Sequence, residues 1–388
     1  MRTVIYAIQK IPSMQEGNAV GWIGLILSAA SVAYSLLAVV AVAFERCRRK
    51  QPDDSNYRPP VTVLKPLCGD EPRLYEALRS FCVQDYPLYQ IVFGVREGDD
   101  DACRTVERLT REFPSLDMKL VVDGRVIGKN LKISNLANMM TQARYNHIVI
   151  SDSDVIVEDN YLGQVVSPLE NRSVGLVTCI YRARALGYSA SRFGALFIDG
   201  WFMPAVLVSR LLRVHSYVSG VTMAMRRDTL SAIGGFESFA DSLADDYMLG
   251  QAVRRLGLLA LISLVPVETV VAEKSLSAVA RHELRWMSTI RSVQPVGYAF
   301  SGITCGVTLP LAGVLMGAGA PIVVGLLAGA ILLRVVLHCT WHKQPMAAAL
   351  RTVWLLPMRD IFVFGIWVAG FFCRNVNWRE NILPVSKV

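Results

Sequence analysis

Charged residues are scarce in this chain. Only 19% of its 388 residues are Asp, Glu, Lys or Arg, while 53% are hydrophobic. Soluble domains carry about 25% charged residues, so part of the chain is not solvated by water. The formal charge of +8 fits anionic lipid surfaces and nucleotide substrates, and it also fits the basic flanks of membrane segments.

Two further absences narrow the class of protein. The eight cysteines form no CxxC motif and no regular spacing, which argues against a disulfide framework and fits reduced thiols in a cytosolic domain. No element concentrates basic and aromatic residues in one stripe, so nucleic acid is not an expected partner.

An apolar block near the N-terminus predicts a membrane anchor over residues 1–44. Residues 20–44 carry no charge and are numerous enough to span a bilayer. The basic run at 45–50 follows at once, whereas only Arg2 and Lys10 are basic before the block. Because basic residues collect on the cytoplasmic side, the N-terminus is predicted outside and residue 45 onward in the cytoplasm.

Two more apolar blocks predict a membrane region over residues 299–388. The block at 299–337 is broken at 317–321, which indicates a hairpin of two spans. The block at 353–372 contains Arg359 and Asp360. A crossing and a re-entrant or interfacial position both stay open for this last block.

The residues between the anchors, 45–298, predict one cytoplasmic α/β domain. Short apolar runs at 61–64, 91–95, 118–122 and 148–150 alternate with helical patterns near 70–82, 100–112 and 130–143. Such alternation indicates βαβ units and a mostly parallel sheet, which binds ligands beyond the carboxyl ends of its strands.

The nearly apolar stretch 193–212 has the length of a span but contains Asp199, Pro204 and Arg210. A single crossing would separate the acidic clusters on its two sides. We therefore predict a buried or interfacial helix pair, and a plain core helix remains the alternative.

The tetrad Ser151-Asp152-Ser153-Asp154 ends the apolar run at 147–150. Two carboxylates spaced i, i+2 at the end of a strand point the same way and can hold a divalent cation against an anionic substrate. Surface loops also produce Asp-x-Asp, so the context of a buried strand carries this prediction. A membrane-bound transferase that uses a nucleotide sugar is the leading interpretation.

Two clusters that precede the tetrad at 151–154 in the sequence could bind the nucleotide. In Glu97-Gly98-Asp99-Asp100-Asp101 a carboxylate could accept from uracil or ribose, or could cap the following helix. In the segment 128–135, Lys129 or Lys132 could neutralise phosphate near a helix start, or could lie on a basic helix surface.

Two clusters downstream could serve the acceptor and the diphosphate. In Asp245-Asp246-Tyr247 one acid could take the proton from an acceptor hydroxyl, and a charged helix start is the alternative. In the run Arg281-His282-Glu283-Leu284-Arg285-Trp286, Arg285 could contact diphosphate and Trp286 suits a water–lipid boundary. A basic helix that anchors at the interface is the other possibility.

The order of these motifs resembles that of the ceramide glucosyltransferases, and the set is most similar to the bacterial hopanoid-biosynthesis glycosyltransferases of that group. The resemblance covers about residues 61–300 and is carried by Leu64-Lys65-Pro66-Leu67-Cys68-Gly69, Asp85-Tyr86-Pro87, Gly128 to Leu136, Asp152-Ser153-Asp154, Ser219-Gly220-Val221-Thr222-Met223, Asp245-Asp246-Tyr247 and Arg285-Trp286.

The resemblance implies a GT-A (Rossmann-like) fold, a UDP-sugar donor, Mg²⁺ or Mn²⁺, inversion at the anomeric carbon and a lipid alcohol acceptor. Asp100, Asp152 and Asp246 fall on the family's three aspartates, the third being its catalytic base. Lys65, Asn135 and Gly220 lie in matched motifs and are predicted to bind substrate. His282 stands where the family has Gln or Arg, which leaves its role open.

We therefore expect a multi-pass protein of the inner membrane with its active site on the cytoplasmic face. Asp152 and Asp154 hold the metal and diphosphate, and Asp100, or else Glu97 or Asp99, contacts the nucleoside. Asp246, with Asp245 beside it, deprotonates the acceptor. The expected reaction is transfer of N-acetylglucosamine to bacteriohopanetetrol, and transfer of glucose to ceramide is the alternative. A processive polysaccharide synthase and a non-catalytic membrane scaffold are further alternatives.

Overall fold

A computed structural model describes residues 19–48, 56–214, 217–316, 320–341, 350–373, 375–378 and 381–384. The strands in these ranges are β1 (Val61–Pro66), β2 (Tyr89–Val95), β3 (Asp117–Val122), β4 (His147–Ile150), β5 (Val155–Ile156), β6 (Val174–Ala185), β7 (Met223–Arg226), β8 (Leu259–Val271), β9 (Asn375–Trp378) and β10 (Asn381–Pro384).

The α-helices in the same ranges are α1 (Ala19–Arg48), α2 (Leu74–Cys82), α3 (Ala102–Glu112), α4 (Leu131–Met140), α5 (Tyr161–Val166), α6 (Ser189–Phe197), α7 (Met203–Leu211), α8 (Arg227–Ala232), α9 (Asp245–Arg255), α10 (Leu276–Val293), α11 (Pro295–Phe300), α12 (Thr308–Leu315), α13 (Ala320–Trp341) and α14 (Leu356–Phe372). A π-helical turn, Ile198–Phe202, joins α6 to α7, and 3₁₀ turns lie at Ser167–Glu170, Glu237–Phe239, Ser301–Thr304 and Val353–Leu355.

One sheet with the order β3-β2-β1-β4-β7-β6-β8-β5 organises the domain. The four predicted strands and the three helices between them are confirmed, and β3, β2, β1 and β4 are parallel. The prediction of a mostly parallel sheet is confirmed, because β6 and β8 run in the same direction as these four strands and only two of the eight strands are reversed. Strand β7 is antiparallel to both β4 and β6, and β5 is antiparallel to β8. The sheet is therefore mixed.

The sheet is covered on both faces, which explains the nearly continuous apolar character of its central strands. Every residue of β1 and β2 is buried. Side chains alternate between two apolar clusters: Val61 and Val63 face α2 and α3, whereas Leu64 and Val92 face α4. The first cluster continues into the apolar helices at the two ends of the chain.

Strand directions determine where the functional groups meet. Because β4 and β6 are both antiparallel to β7, they run in the same direction as β1, β2 and β8. The carboxyl ends of these strands and the start of β7 therefore lie at one edge of the sheet. Helices α6 and α7 connect β6 to β7, so they leave and return at that same edge.

Within the described ranges, four helices are long and apolar enough to cross a membrane, and a bent pair would make a fifth span. The four are residues 19–47, 189–211, 321–341 and 353–372. The bent pair, 295–304 with 308–315, turns by 72°. The predicted hairpin of two spans stays a prediction, because α12 alone is too short to span a bilayer and the bent pair makes its first arm either one broken span or a re-entrant loop. Residues 317–319, where the hairpin was expected to turn, lie outside the described residues.

The segment 189–211 is a continuous helix with a π turn, which corrects the expected helix pair. It packs against the sheet on one side and against α1 on the other, where Arg210 pairs with Glu45. Its Asp199 accepts hydrogen bonds from the backbone N–H of Ala183 and from Trp341 Nε1, both at 3.0 Å. Two-thirds of the segment is buried.

The charges in the last apolar block are paired with charges on other helices. Asp360 contacts Arg334 of α13 at 2.5 Å and accepts from the backbone N–H of Val307 at 2.7 Å. Arg359 contacts Glu283 of α10 at 2.5 Å. Unpaired charges are costly in an apolar medium, so these pairs explain how α14 tolerates two charged residues.

Candidate active site

A cavity of about 1110 Å³ opens at the edge of the sheet where the strands end. The segments after β1, β2, β4 and β8, the segment before β7 and the start of α9 all line it. The sequence-predicted residues Glu97, Asp99, Asp100, Lys129, Lys132, Asn135, Asp152, Asp154, Gly220, Asp245, Asp246, His282, Arg285 and Trp286 lie in its wall. Lys65 does not.

Lys132 joins two acidic clusters that are distant in sequence. Its Nζ lies 2.5 Å from Asp152 Oδ1 and 3.9 Å from Asp245 Oδ2. Burial lowers the pKa of Lys132, but the negative charges of Asp152 and Asp245 outweigh this effect and raise the pKa above its ordinary value. Lys132 is therefore a permanent cation inside the acidic cluster.

Lys65 is fully buried below this cluster, in β1. Its Nζ donates to the backbone carbonyl of Asp152 and lies 4.0 Å from the centre of the Phe81 ring. Burial lowers the pKa of Lys65 to about 7. Because its amino group is enclosed, Lys65 holds the loop that carries Asp152, and the structure does not bring it into the cavity as a substrate contact.

Asp154 lies beside Asp152 and is oriented by the neighbouring strand. Its Oδ2 accepts from Thr269 Oγ1 at 2.7 Å. Burial and the charge of Asp152 raise the pKa of Asp154 to about 6. Two neighbouring carboxylates attract any cation that can reach both.

Asp246 lies near the start of β7, where two backbone N–H groups donate hydrogen bonds to its carboxylate. Its Oδ2 accepts from Gly220 N at 2.9 Å and its Oδ1 from Tyr247 N at 2.7 Å. Burial and the charge of Asp245 raise the pKa of Asp246 to about 6. A carboxylate with this pKa is ionised at neutral pH and is a stronger base than an ordinary aspartate.

Asp245 faces inward, and burial raises its pKa as well. Its Oδ1 accepts from Asn130 Nδ2 at 3.3 Å. Both acids lie in the first turn of α9. The free backbone N–H groups at the start of a helix stabilise negative charge there. The two interpretations of this pair are therefore compatible, because the same two residues form the start of the helix and line the candidate site.

Gly220 leaves a gap between the two acidic segments. A Cβ at this position would lie 3.0 Å from Lys132 Nζ, 3.6 Å from Asp152 Oδ2 and 3.7 Å from Asp246 Oδ2. Carboxylates of Asp152 and Asp246 therefore approach one point from opposite segments. The absence of a side chain keeps that point open to the cavity.

The acidic loop after β2 combines a structural and a lining role. Asp100 accepts from Ala102 N at 2.8 Å and from Gly69 N at 2.9 Å, so it caps α3 and ties that helix to the loop after β1. Glu97 and Asp99 are exposed at the cavity mouth. The expected helix cap is thus Asp100 itself, the residue that the resemblance assigns to the nucleoside.

Two polar residues of α4 and its approach differ in exposure. Lys129 is exposed, and its backbone N–H donates to Asp241 Oδ1 at 3.0 Å. Asn135 is buried and donates to the carbonyl of Gly94 at 2.8 Å. Asn135 therefore joins α4 to β2 at the cavity wall, while the Lys129 side chain is accessible to an anionic ligand.

The far wall of the cavity is aromatic. Trp286 of α10 lies 5.6 Å from Phe202 and 5.9 Å from Phe197, measured between ring centres. Phe197 stacks on Trp201 at 5.0 Å. These rings surround the π turn, a feature that is frequent at functional sites. The cavity therefore has a charged arm at the sheet and an apolar arm toward the apolar helices.

Sequence reasoning missed three polar residues of this site. Glu273 and Thr269 belong to the end of β8, and Glu71 follows β1 and accepts from Ser153 Oγ at 2.5 Å. The run 259–271 is apolar with few charges and stops at an acid two residues later, which is the signal that marked Asp152.

A divalent cation fits the charged arm. Within the described ranges no three His, Cys, Asp or Glu side chains stand close enough to form a complete metal site. Mg²⁺ is usually held by one or two carboxylates together with substrate phosphates, so a complete protein site is not required. Asp152 Oδ2, which faces the gap at Gly220, and the Asp154 carboxylate supply hard oxygen donors of the right kind.

This fold and site define a glycosyltransferase of the GT-A class. A mannosyltransferase from Pyrobaculum calidifontis, solved with GDP-Man and Mn²⁺, has the same fold. The superposition has a TM-score of 0.52 at 20% identity and covers 93% of this chain and all of that one. The predicted GT-A fold with apolar helices toward both ends is confirmed.

The chain belongs to glycosyl transferase family 21, whose sequence profile matches residues 23–387. The predicted family is thereby confirmed, and with it the class of enzyme. Ceramide glucosyltransferase 3 of Caenorhabditis elegans is 27% identical over 264 residues, which are 65% of this chain and 55% of that protein. Ceramide glucosyltransferase 1 of the same organism is 30% identical over 210 residues, 54% of this chain and 45% of that protein. The chain thus spans about half the length of these relatives.

Proposed function

We propose that this protein transfers a hexose from a UDP-sugar to a hydroxyl group of a membrane lipid. The observation that carries the proposal is a single cavity that joins a carboxylate cluster to an aromatic wall between α6–α7 and α10. A water-soluble acceptor would not need the apolar arm. A lipid-binding scaffold would not need a raised-pKa carboxylate held by two backbone donors.

The donor occupies the charged arm in this proposal. Asp152 and Asp154 would hold Mg²⁺ or Mn²⁺, which supplies charge neutralisation for the leaving diphosphate. Lys132 and Arg285 add positive charge to the same arm, and Glu97, Asp99 or Asp100 contacts the nucleoside at the mouth. Lys65 and Asn135 position the loop and the helix that carry these groups.

Asp246 is the proposed base. Its carboxylate takes the proton of the acceptor hydroxyl as the oxygen attacks the anomeric carbon from the face opposite the diphosphate. A bond forms between that oxygen and the anomeric carbon, and the bond from this carbon to the diphosphate oxygen breaks. The electron pair leaves with UDP, and the anomeric configuration inverts.

The lipid occupies the apolar arm. Phe197, Phe202 and Trp286 contact its hydrocarbon part, and the segment 189–211, which packs on α1, borders its route from the bilayer. In this proposal residues 45–298 form the catalytic domain on the cytoplasmic side, between the anchor at 1–44 and the membrane region at 299–388.

The names of the relatives favour glucose as the sugar and ceramide as the lipid. Transfer of N-acetylglucosamine to bacteriohopanetetrol in the inner membrane, the reaction that the sequence resemblance favoured, is the competing form of the same proposal. Both acceptors present a primary or secondary hydroxyl next to a large apolar body, so the proposal covers either lipid.

The decisive experiment offers both lipids at once. Purified protein in nanodiscs receives UDP-glucose or UDP-N-acetylglucosamine, Mg²⁺ or Mn²⁺, and a mixture of ceramide and bacteriohopanetetrol, and the products are identified by mass spectrometry. The proposal expects one sugar on one lipid. A ladder of added sugars would indicate a polysaccharide synthase, and neither glycolipid nor UDP release with any donor would indicate a scaffold.

A further inference from the structure

A carboxylate and an imidazole form a second polar group in the cavity, apart from the aspartate cluster. His282 Nδ1 lies 2.5 Å from Glu273 Oε1. Glu273 follows β8 and His282 lies in the second turn of α10, so the contact closes the gap between strand and helix. Both side chains line the cavity, and the proposed reaction assigns no step to either.

The pairing determines which hydrogen-bonding groups face the cavity. Burial alone would raise the pKa of Glu273, but the hydrogen bond from His282 and the other favourable interactions of the carboxylate together outweigh burial and lower that pKa. Glu273 is therefore an ionised acceptor, and Nδ1–H of His282 donates to it. In the neutral form of the ring, this hydrogen bond from Nδ1–H leaves the lone pair on Nε2, which is then a hydrogen-bond acceptor.

Glu273 contributes a second acceptor atom. Its Oε2 is buried and has no hydrogen-bond partner among the residues that the structure describes. A buried carboxylate oxygen without a donor is costly, so a ligand that brings a donor to this point gains the interaction. The pair thus offers hydrogen-bond acceptors to a ligand, whereas its donor, Nδ1–H of His282, is already bonded to Glu273.

The surroundings of His282 place the pair in the apolar arm. Its ring meets Trp286 edge to face, with the centres 4.8 Å apart. Trp286 in turn contacts Phe197 and Phe202 of the aromatic wall. A lipid whose hydrocarbon part lies along these rings would therefore come next to His282.

We propose that Glu273 and His282 recognise a hydrogen-bond donor on the lipid acceptor, a hydroxyl or amide N–H next to the hydroxyl that reacts. The proposal rests on the proposed function. His282 contacts the lipid substrate, and Glu273 is a positioning residue that fixes the imidazole. A site built to accept from a substrate group discriminates strongly against the analogue that lacks it.

The test compares three substitutions that separate hydrogen bonding from packing. His282→Phe keeps a ring against Trp286 and removes Nε2, so we expect the KM for ceramide, or for bacteriohopanetetrol if that is the substrate, to rise about tenfold. The KM for the UDP-sugar should not change. His282→Gln retains an acceptor at the position of Nε2 and should recover most of the affinity for the lipid.

Glu273→Ala tests the positioning role. It should raise the KM for the lipid in the wild-type background and have a smaller effect in the His282→Gln background, because the amide needs no tautomer to be fixed and only the contact with Oε2 is lost. Arg281→Ala, an exposed neighbour that lies outside the cavity wall, is the matched control and should leave both KM values unchanged.

A second arm offers hexadecanol, which has a reactive hydroxyl and no neighbouring donor. The wild type should prefer the natural lipid, and His282→Phe should lose much of that preference. An unchanged KM for the lipid in His282→Phe would overturn the proposal, as would a rise confined to the KM for the UDP-sugar. Absence of turnover in the wild type would instead reject the proposed function, which keeps the two failures distinct.

Discussion

Substitution of Gly220 by alanine tests the geometry of the charged arm with one added carbon. Gly220 is not among the glycines with a positive φ, so alanine fits its backbone without strain. The added Cβ would lie 3.0 Å from Lys132 Nζ and 3.6 and 3.7 Å from oxygens of Asp152 and Asp246. Only the first contact is tight, and it involves the mobile end of a lysine that can shift by a few tenths of an ångström.

The expected loss of stability is small and the expected loss of activity is large, which makes the test informative. The cost in folding free energy should stay below about 1 kcal/mol, since one side of the new methyl group faces a cavity. Activity should fall much further, because the methyl group fills the point that Asp152 and Asp246 share. A displacement of about 1 Å at such a site can cost about 100-fold in rate, equivalent to about 2.7 kcal/mol.

The assay measures kcat/KM for lipid glycosylation in nanodiscs, UDP-sugar binding by calorimetry and the thermal midpoint of unfolding. Gly98→Ala is the control, because a Cβ there would meet only Val122 at 3.7 Å and Gly98 does not line the cavity. A Gly220→Ala protein with wild-type kcat/KM would show that the donor does not use this gap. A large loss of stability would refute the argument that Lys132 can move aside.

Four other outcomes follow from the geometry. Asp246→Asn should lower turnover by about 10²- to 10⁴-fold and leave UDP-sugar affinity nearly intact; lost affinity would move this residue to the donor site. Because burial raises the pKa of Asp246 to about 6, kcat/KM should fall as pH drops through 6, where the base becomes protonated, and a profile that stays flat to pH 4.5 would exclude it as the base. Asp152→Asn should weaken metal-dependent UDP binding in titration calorimetry, and unchanged metal dependence would reject its role. Asp360→Ala should destabilise the protein by about 3–5 kcal/mol in thermal unfolding, because it strands the buried cation of Arg334, whereas Arg73→Gln, in an exposed pair, should have little effect.

Local patterns in the sequence predicted the first half of the domain well. The runs at 61–64, 91–95, 118–122 and 148–150 became β1 to β4, with helices between them at nearly the expected positions. Parallel strands covered on both faces are apolar throughout, and amphipathic helices have their own period, so each element is visible within about ten residues of sequence. The acidic residues after β2 and β4 could be located for the same reason.

The second half shows where local patterns are insufficient. Strands β6 and β8 went unpredicted, the segment 189–211 proved to be one helix with a π turn, and the first arm of the hairpin was bent by 72°. Strand direction depends on which neighbour a strand finds, and helix continuity depends on packing. Neither is encoded in the period of the apolar residues.

Residue type alone also could not show how deeply each side chain is buried. Lys65 and Lys132 are both lysines in matched motifs, yet one is enclosed below the sheet edge and the other lies in the cavity wall. Asp100, predicted to contact the nucleoside, caps α3 as well. Glu273, which is absent from the predicted site residues, is a half-buried carboxylate paired with His282.

The sequence by itself determined the apolar character of the ends, the alternating elements of the first half of the domain and the positions of the candidate aspartates, because hydrophobic period and charge are local properties. Only the tertiary structure decided that Asp152, Gly220 and Asp246 surround one point. These segments meet because β7 runs antiparallel between β4 and β6, which brings its start to the edge where the other strands end. Contacts between groups more than a hundred residues apart, such as Asn130 and Asp245, follow from strand pairing and not from any pattern in the residues between them.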